Sequence, residues 1–228
     1  MRQKIKKGIA YGILLLLIPA TLLLGVTVFR GGQYAFISIS VAVFSLIPPV
    51  LCFEKSEQSA TRLILIAAMT ALSVAGRFLF GMLPFFKPVT AMTVITALSF
   101  GPEAGFMTGA LTAVISNFYF GQGPWTPFQM FAWGMLGLLA GVLARPLKKS
   151  RLLLLSYGVF AGIFYSLLLD VFSTLWQDNR FLLSRYVAML VTSLPMTAIY
   201  AASNVVFLLL LAKPIGEKLE RMRQKYGI

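Results

Sequence analysis

The chain contains no histidine and one cysteine, Cys52. Without histidine there is no imidazole metal site, no imidazole proton relay, and no Ser-His or Cys-His catalysis. One cysteine closes no internal disulfide and anchors no thiolate cluster, so Cys52 reads as a small apolar filler. Acidic residues are also scarce, with Asp+Glu 7 against Lys+Arg 20. No paired carboxylates, metal-ligand spacing or activated serine supports hydrolysis. No Gly-x4-Gly-Lys-Ser/Thr loop is present, so the chain carries no nucleotide site of that kind. These absences leave no catalytic residue, metal or cofactor to expect.

Charge is scarce too. Charged residues make up 12% of the chain and hydrophobic ones 58%, with mean hydropathy +0.84. Soluble domains carry roughly 25% charged residues, so the composition is that of an all-α integral membrane protein. The net charge of +13 resembles a nucleic-acid signal until the positions are read. The basic residues lie beside apolar runs, which marks topology and contact with anionic membrane lipid, with no nucleic-acid partner. The apolar run from Gly8 to Phe29 is longer than a signal-peptide core of about 7–15 residues. It reads as a retained helix.

A helix needs about 20 apolar residues to cross a bilayer. Eight spans are expected, near 8–29, 33–53, 61–80, 87–101, 102–120, 124–144, 151–176 and 185–212. The pair at 87–120 is divided at Gly101-Pro102, because proline cannot continue a helix and disfavours helix in the residue before it. Charge supports that division. Three basic clusters, Arg2 to Lys7, Arg145 to Arg151 and Lys213 to Lys225, belong on the cytoplasmic side by the positive-inside rule. Only an even number of crossings between Arg62 and Arg145 puts the first two on one side. Both termini are then cytoplasmic, and Arg30, Arg77, Lys87, Arg180 and Arg185 lie on or near the outer face. The polar stretch 54–62 divides an N-terminal transmembrane hairpin, 1–56, from a six-helix substrate-binding core with a basic tail, 57–228. No internal repeat is visible.

Three features carry candidate function. Ala67, Ala71 and Ala75 recur every four residues, a stripe that lets another helix approach closely. Gly105, Gly109 and Ala113, and Gly137 and Gly141, repeat the pattern, which also serves ordinary packing. The loop from Arg77 to Pro88, with Phe85 and Lys87, and the aromatic segment 117–133, with Asn117 and Tyr119, gather polar groups at the outer face. Trp125, Gln129 and Trp133 share one helix face by their four-residue spacing. An amide such as Gln129 is costly in hydrocarbon without a partner, so it should face the bundle or a cavity. Interfacial aromatic anchoring is the alternative for Trp125. Asp170 is the one acid well inside a span, with Arg77 as nearest partner; such residues mark function by default, or a structural ion pair. Asn204 reads as too deep for the same pocket, and Pro195 as a kink.

Arg62 to Arg77, Lys87-Pro-Val-Thr, Phe100-Gly-Pro-Glu-Ala-Gly-Phe and Ser116-Asn-Phe-Tyr-Phe-Gly-Gln-Gly-Pro-Trp-Thr-Pro-Phe-Gln-Met resemble the substrate-binding S-components of energy-coupling factor (ECF) transporters. The likeness covers about residues 60–216. The Gly-Gln-Gly-Pro-Trp-Thr-Pro run is similar to the cobalamin branch. The N-terminal hairpin departs from the family pattern and takes no role from it. The resemblance implies that the chain binds a vitamin on the outer face, cobalamin ahead of riboflavin. It also implies docking on a transmembrane scaffold subunit carrying two ATPase subunits. Ala67, Ala71 and Ala75 would meet that scaffold. Residues 77–88 and 117–127 would line or cover the ligand, and Arg77, Phe85, Lys87, Asn117, Tyr119, Trp125, Gln129, Trp133 and Asp170 are the candidate substrate contacts. An autonomous transporter without ATPase partners, or a structural membrane subunit without ligand, are the alternatives. Composition and spacing lead only to an outward site; the vitamin rests on the resemblance.

Overall fold

In hydrocarbon every backbone amide must find its partner within the protein, and an apolar chain answers by forming helices. The computed structural model describes residues 2–28, 36–37, 39–44, 47, 57–178 and 181–227, and these are helical apart from short connections. The expected second span, 33–53, lies mostly outside the described residues. At the N-terminus α1 (Arg2–Gly12) passes through a π-helical turn, Ile13–Leu17, into α2 (Ile18–Thr27). The wide turn stands just before Pro19, whose ring crowds the preceding helical carbonyls.

The remainder comprises α3 (Glu57–Leu79), α4 (Val89–Phe100), α5 (Pro102–Phe120), α6 (Thr126–Val142), α7 (Ala144–Lys149), α8 (Arg151–Asp178) and α9 (Leu183–Tyr226). Gly8–Gly25, Ala60–Leu79, Arg151–Gln177 and helix α9 are long and apolar enough to cross a membrane. The break expected at Gly101-Pro102 is present, with Gly101 at φ 95, a conformation that favours glycine. Two expectations change. The span drawn as 185–212 belongs to a helix that runs on through Pro214 to Tyr226. Leu219 explains this, because it is buried against Ile66, Met69, Met92 and Phe100 and pins the basic tail under the core. The loop after the sixth span also holds a short helix, α7, that no periodicity announced.

The tightest packing follows the small residues. A Cβ on Gly137 would lie 2.3 Å from the backbone of Gly105, and one on Gly109 2.4 Å from the Trp133 carbonyl oxygen. Helices α5 and α6 therefore meet backbone to backbone, as small-residue stripes permit. The second close pair is α8 with α9, where a Cβ on Gly162 would lie 2.5 Å from the Ala201 nitrogen. Gly137→Val should force α5 and α6 apart and cost about 1–3 kcal/mol, the usual penalty of overpacking. A lowered melting temperature in detergent would reveal it.

Candidate functional site

Loop 80–88 meets α9 at Tyr200, Ser203 and Phe207: Phe85 packs edge-on to Tyr200 at 5.4 Å, Phe80 on Phe207 at 4.9 Å, and Ser203 Oγ donates to the Lys87 carbonyl at 3.0 Å. From Leu183 to Tyr200 helix α9 climbs about 25 Å at roughly 1.5 Å per residue. The loop is thus sunk into the bundle, where irregular backbone survives only if its polar groups are satisfied. Lys87 supplies this. Its ammonium donates to the carbonyls of Phe80, Gly81 and Leu83. Phe85 holds a positive φ of 60, uncommon for a bulky residue and a sign of local strain next to the cavity described below. Lys87→Met should therefore leave the Gly81 carbonyl without a donor, leave those of Phe80 and Leu83 with one backbone N–H each, and loosen the loop. A buried unsatisfied group costs about 1–3 kcal/mol, and faster hydrogen exchange over 80–88 is the expected readout.

Beside the loop lies a cavity of about 240 Å³ lined by Arg77, Phe85, Lys87, Val89, Thr90, Gln129, Trp133, Tyr165, Tyr200 and Asn204. Five candidates from the sequence, Arg77, Phe85, Lys87, Gln129 and Trp133, meet on its wall. Trp133 stacks on Tyr165 at 5.1 Å, and Tyr165 meets Tyr200 at 4.9 Å, giving one continuous aromatic side. The Arg77 guanidinium lies between the Phe120 and Trp133 rings, 4.7 and 5.1 Å from their centroids. It donates to Ser116 Oγ and, at 2.8 Å, to Asn117 Oδ1. Asn117 Nδ2 in turn donates to Thr126 Oγ1 and Gln129 Oε1, both at 2.8 Å. One buried amide thereby orients two of the polar groups that face the cavity, Arg77 and Gln129, and the spacing of Ser116, Asn117, Thr126 and Gln129 in the polar segment follows from this network.

The other candidates lie elsewhere. Asn117 is 1% exposed and stands one bond behind the wall. Tyr119 is 75% exposed and packs outside, on Phe78 and Phe120. Trp125 is 40% exposed, and its ring folds back over Gly123, off the lining. The expected Arg77–Asp170 pairing is absent: Asp170 accepts from Ser193 Oγ at 2.6 Å, within a polar seam between α8 and α9. Asn204, judged too deep, lines the cavity, because loop 80–88 meets α9 on either side of it, at Tyr200, Ser203 and Phe207; its amide also donates to the Gly158 carbonyl at 3.0 Å. Tyr165, Tyr200 and Thr90 were missed. The available signal was a phenol in the middle of each of two apolar spans. Ala67, Ala71 and Ala75 are all exposed on α3.

The site is thus a half-enclosed cavity with an aromatic side, a guanidinium held by Ser116 and Asn117, and amides held by Asn117 and by the Gly158 carbonyl. Residues 57–220 match the family described as ECF-type riboflavin transporter, S component, and the chain belongs to that family. It is therefore a membrane-embedded transporter component rather than an enzyme, of a kind that works with scaffold and ATPase modules. No curated protein and no solved structure matches the chain.

Proposed function

We propose that the protein is the substrate-specific subunit of an ECF-type importer that binds a compact planar vitamin of the riboflavin kind at the outer face. It would pass the vitamin inward on a scaffold subunit with two ATPase subunits. The observation that carries this reading is the cavity of about 240 Å³ with its Trp133–Tyr165–Tyr200 wall. Its volume lies just under the roughly 300–1,000 Å³ usual for small-molecule sites. That suits a fused heterocycle after modest opening, whereas a corrinoid with its side arms and nucleotide loop is several times too large. A flat ring would lie along the aromatic side. Arg77 would donate to ring carbonyls, and the Gln129 amide would read a neighbouring edge, since oriented polar groups fix a ligand's position in an apolar pocket. The family description also favours riboflavin.

Cobalamin is the second reading, favoured by the run from Gly121 to Pro127. It would require loop 80–88 to withdraw from α9. The outward placement rests on charge parity, with both termini inside. The exposed Ala67, Ala71 and Ala75 face on α3 supports docking of the scaffold there. The proposal is tested by mild detergent extraction and reconstitution. Copurification of a scaffold and ATPase subunits, with ATP-dependent vitamin uptake into proteoliposomes, is expected. Uptake by the purified chain alone would instead favour an autonomous transporter.

A further inference from the structure

A second and larger cavity, of about 490 Å³, lies at the other end of the bundle, between α4, α7, α8 and α9. Its apolar side is built from Ile95, Leu98, Leu154, Leu155, Leu208 and Ala212, and its rim carries Lys148, Arg151 and Lys213. Two acids also border it, but Glu220 accepts from Arg223 at 3.0 Å and Glu217 lies 3.9 Å from Arg221. Among the described residues, the three rim cations make no hydrogen bond or ion pair. Arg151 also opens α8, so the positive pole of a long helix points to the same rim.

We propose that this cavity is a binding site for an anionic phospholipid, with the phosphate on Lys148, Arg151 and Lys213 and an acyl chain on the leucine wall. Charge complementarity and the apolar interior together select this occupant. Free phosphate would leave the leucine side unused, and a zwitterionic lipid would leave the cations uncompensated. Basic pockets between helices on the cytoplasmic side are suited to such headgroups. The proposal is independent of the vitamin site, which lies around the first residues of α4, whereas this cavity surrounds its last turns.

The test is native mass spectrometry of the purified full chain with phosphatidylglycerol or phosphatidylcholine. Wild type should retain phosphatidylglycerol at activation energies that strip phosphatidylcholine. The triple variant Lys148→Gln, Arg151→Gln, Lys213→Gln should lose that preference at least tenfold. Gly216→Leu is the sharper arm. Gly216 lines the cavity and a Cβ there meets nothing within 4 Å, so a leucine can be rooted there and extend into the cavity while every charge stays in place. It should also lose the bound lipid while keeping its melting temperature and vitamin affinity. Equal retention of both lipids by wild type, full retention by Gly216→Leu, displacement by inorganic phosphate at matched concentration, or a protein helix held there in place of lipid would each overturn the proposal.

Discussion

Arg77→Met should melt at or above the wild-type temperature and yet bind the vitamin about a hundredfold more weakly. Both halves follow from the same environment. The guanidinium is half-buried against Phe120 and Trp133, and among the described residues it has no carboxylate partner, only the neutral Ser116 and Asn117 oxygens. A charge held away from water without a counter-charge costs stability, and an apolar isostere of similar length removes that cost. Ser116 still bonds the Thr112 carbonyl and Asn117 keeps Thr126 and Gln129, so the network behind the wall survives except at Asn117 Oδ1, whose lost donor offsets part of the gain from removing the buried charge. Binding loses its charged donor. A hydrogen bond from a charged group contributes about 1.5–3 kcal/mol, and 1.4 kcal/mol is tenfold in affinity. Thermal melting and equilibrium titration on the same preparation separate the two effects. A variant that melts far below wild type would make Arg77 a structural residue instead.

Ala71→Trp should do the reverse. Ala67, Ala71 and Ala75 present a smooth exposed ridge on α3, and membrane helices associate through such ridges because dispersion contacts need close approach. An indole at the central position would hold a partner helix off along the ridge. Copurifying scaffold should be lost and ATP-dependent uptake should fall more than tenfold. Vitamin binding to the isolated chain should stay within about twofold, since Ala71 lies roughly 9 Å along the helix from Arg77. Equal loss of assembly and binding would remove the stripe from the partner face.

How far the site could be read in advance depends on which forces were local. The break at Gly101-Pro102 and the small-residue stripes at Gly105, Gly109 and Ala113 and at Gly137 and Gly141 were legible because backbone preference and side-chain size act within a turn or two; that the two stripes meet each other was not. The polar segment was legible as a candidate because the Gln129 amide is too costly in hydrocarbon to stand idle. What escaped was depth. The sinking of loop 80–88 depends on Lys87 reaching back to three carbonyls and on Ser203 and Phe207 receiving the loop from a helix more than a hundred residues away. No periodicity encodes that contact, so Tyr165, Tyr200 and Asn204 read as membrane interior rather than cavity wall. Asp170 was misjudged for a related reason. A carboxylate and an arginine at similar depth were paired by elimination, while Ser193, on the adjoining turn of α9, satisfied the acid. Trp125 shows the limit of spacing arguments: it shares a helix face with Gln129 and Trp133, but its ring turns back over Gly123.

The central claim is that the Arg77–Gln129–Trp133 cavity holds a compact planar vitamin, and titration of the purified chain with riboflavin and with cobalamin tests it most directly. Saturable binding of one riboflavin per chain is expected, with its fluorescence quenched by stacking against the tryptophan and tyrosine wall, and cobalamin should bind at least a hundredfold more weakly. Tight binding of cobalamin with no saturable riboflavin binding would contradict it.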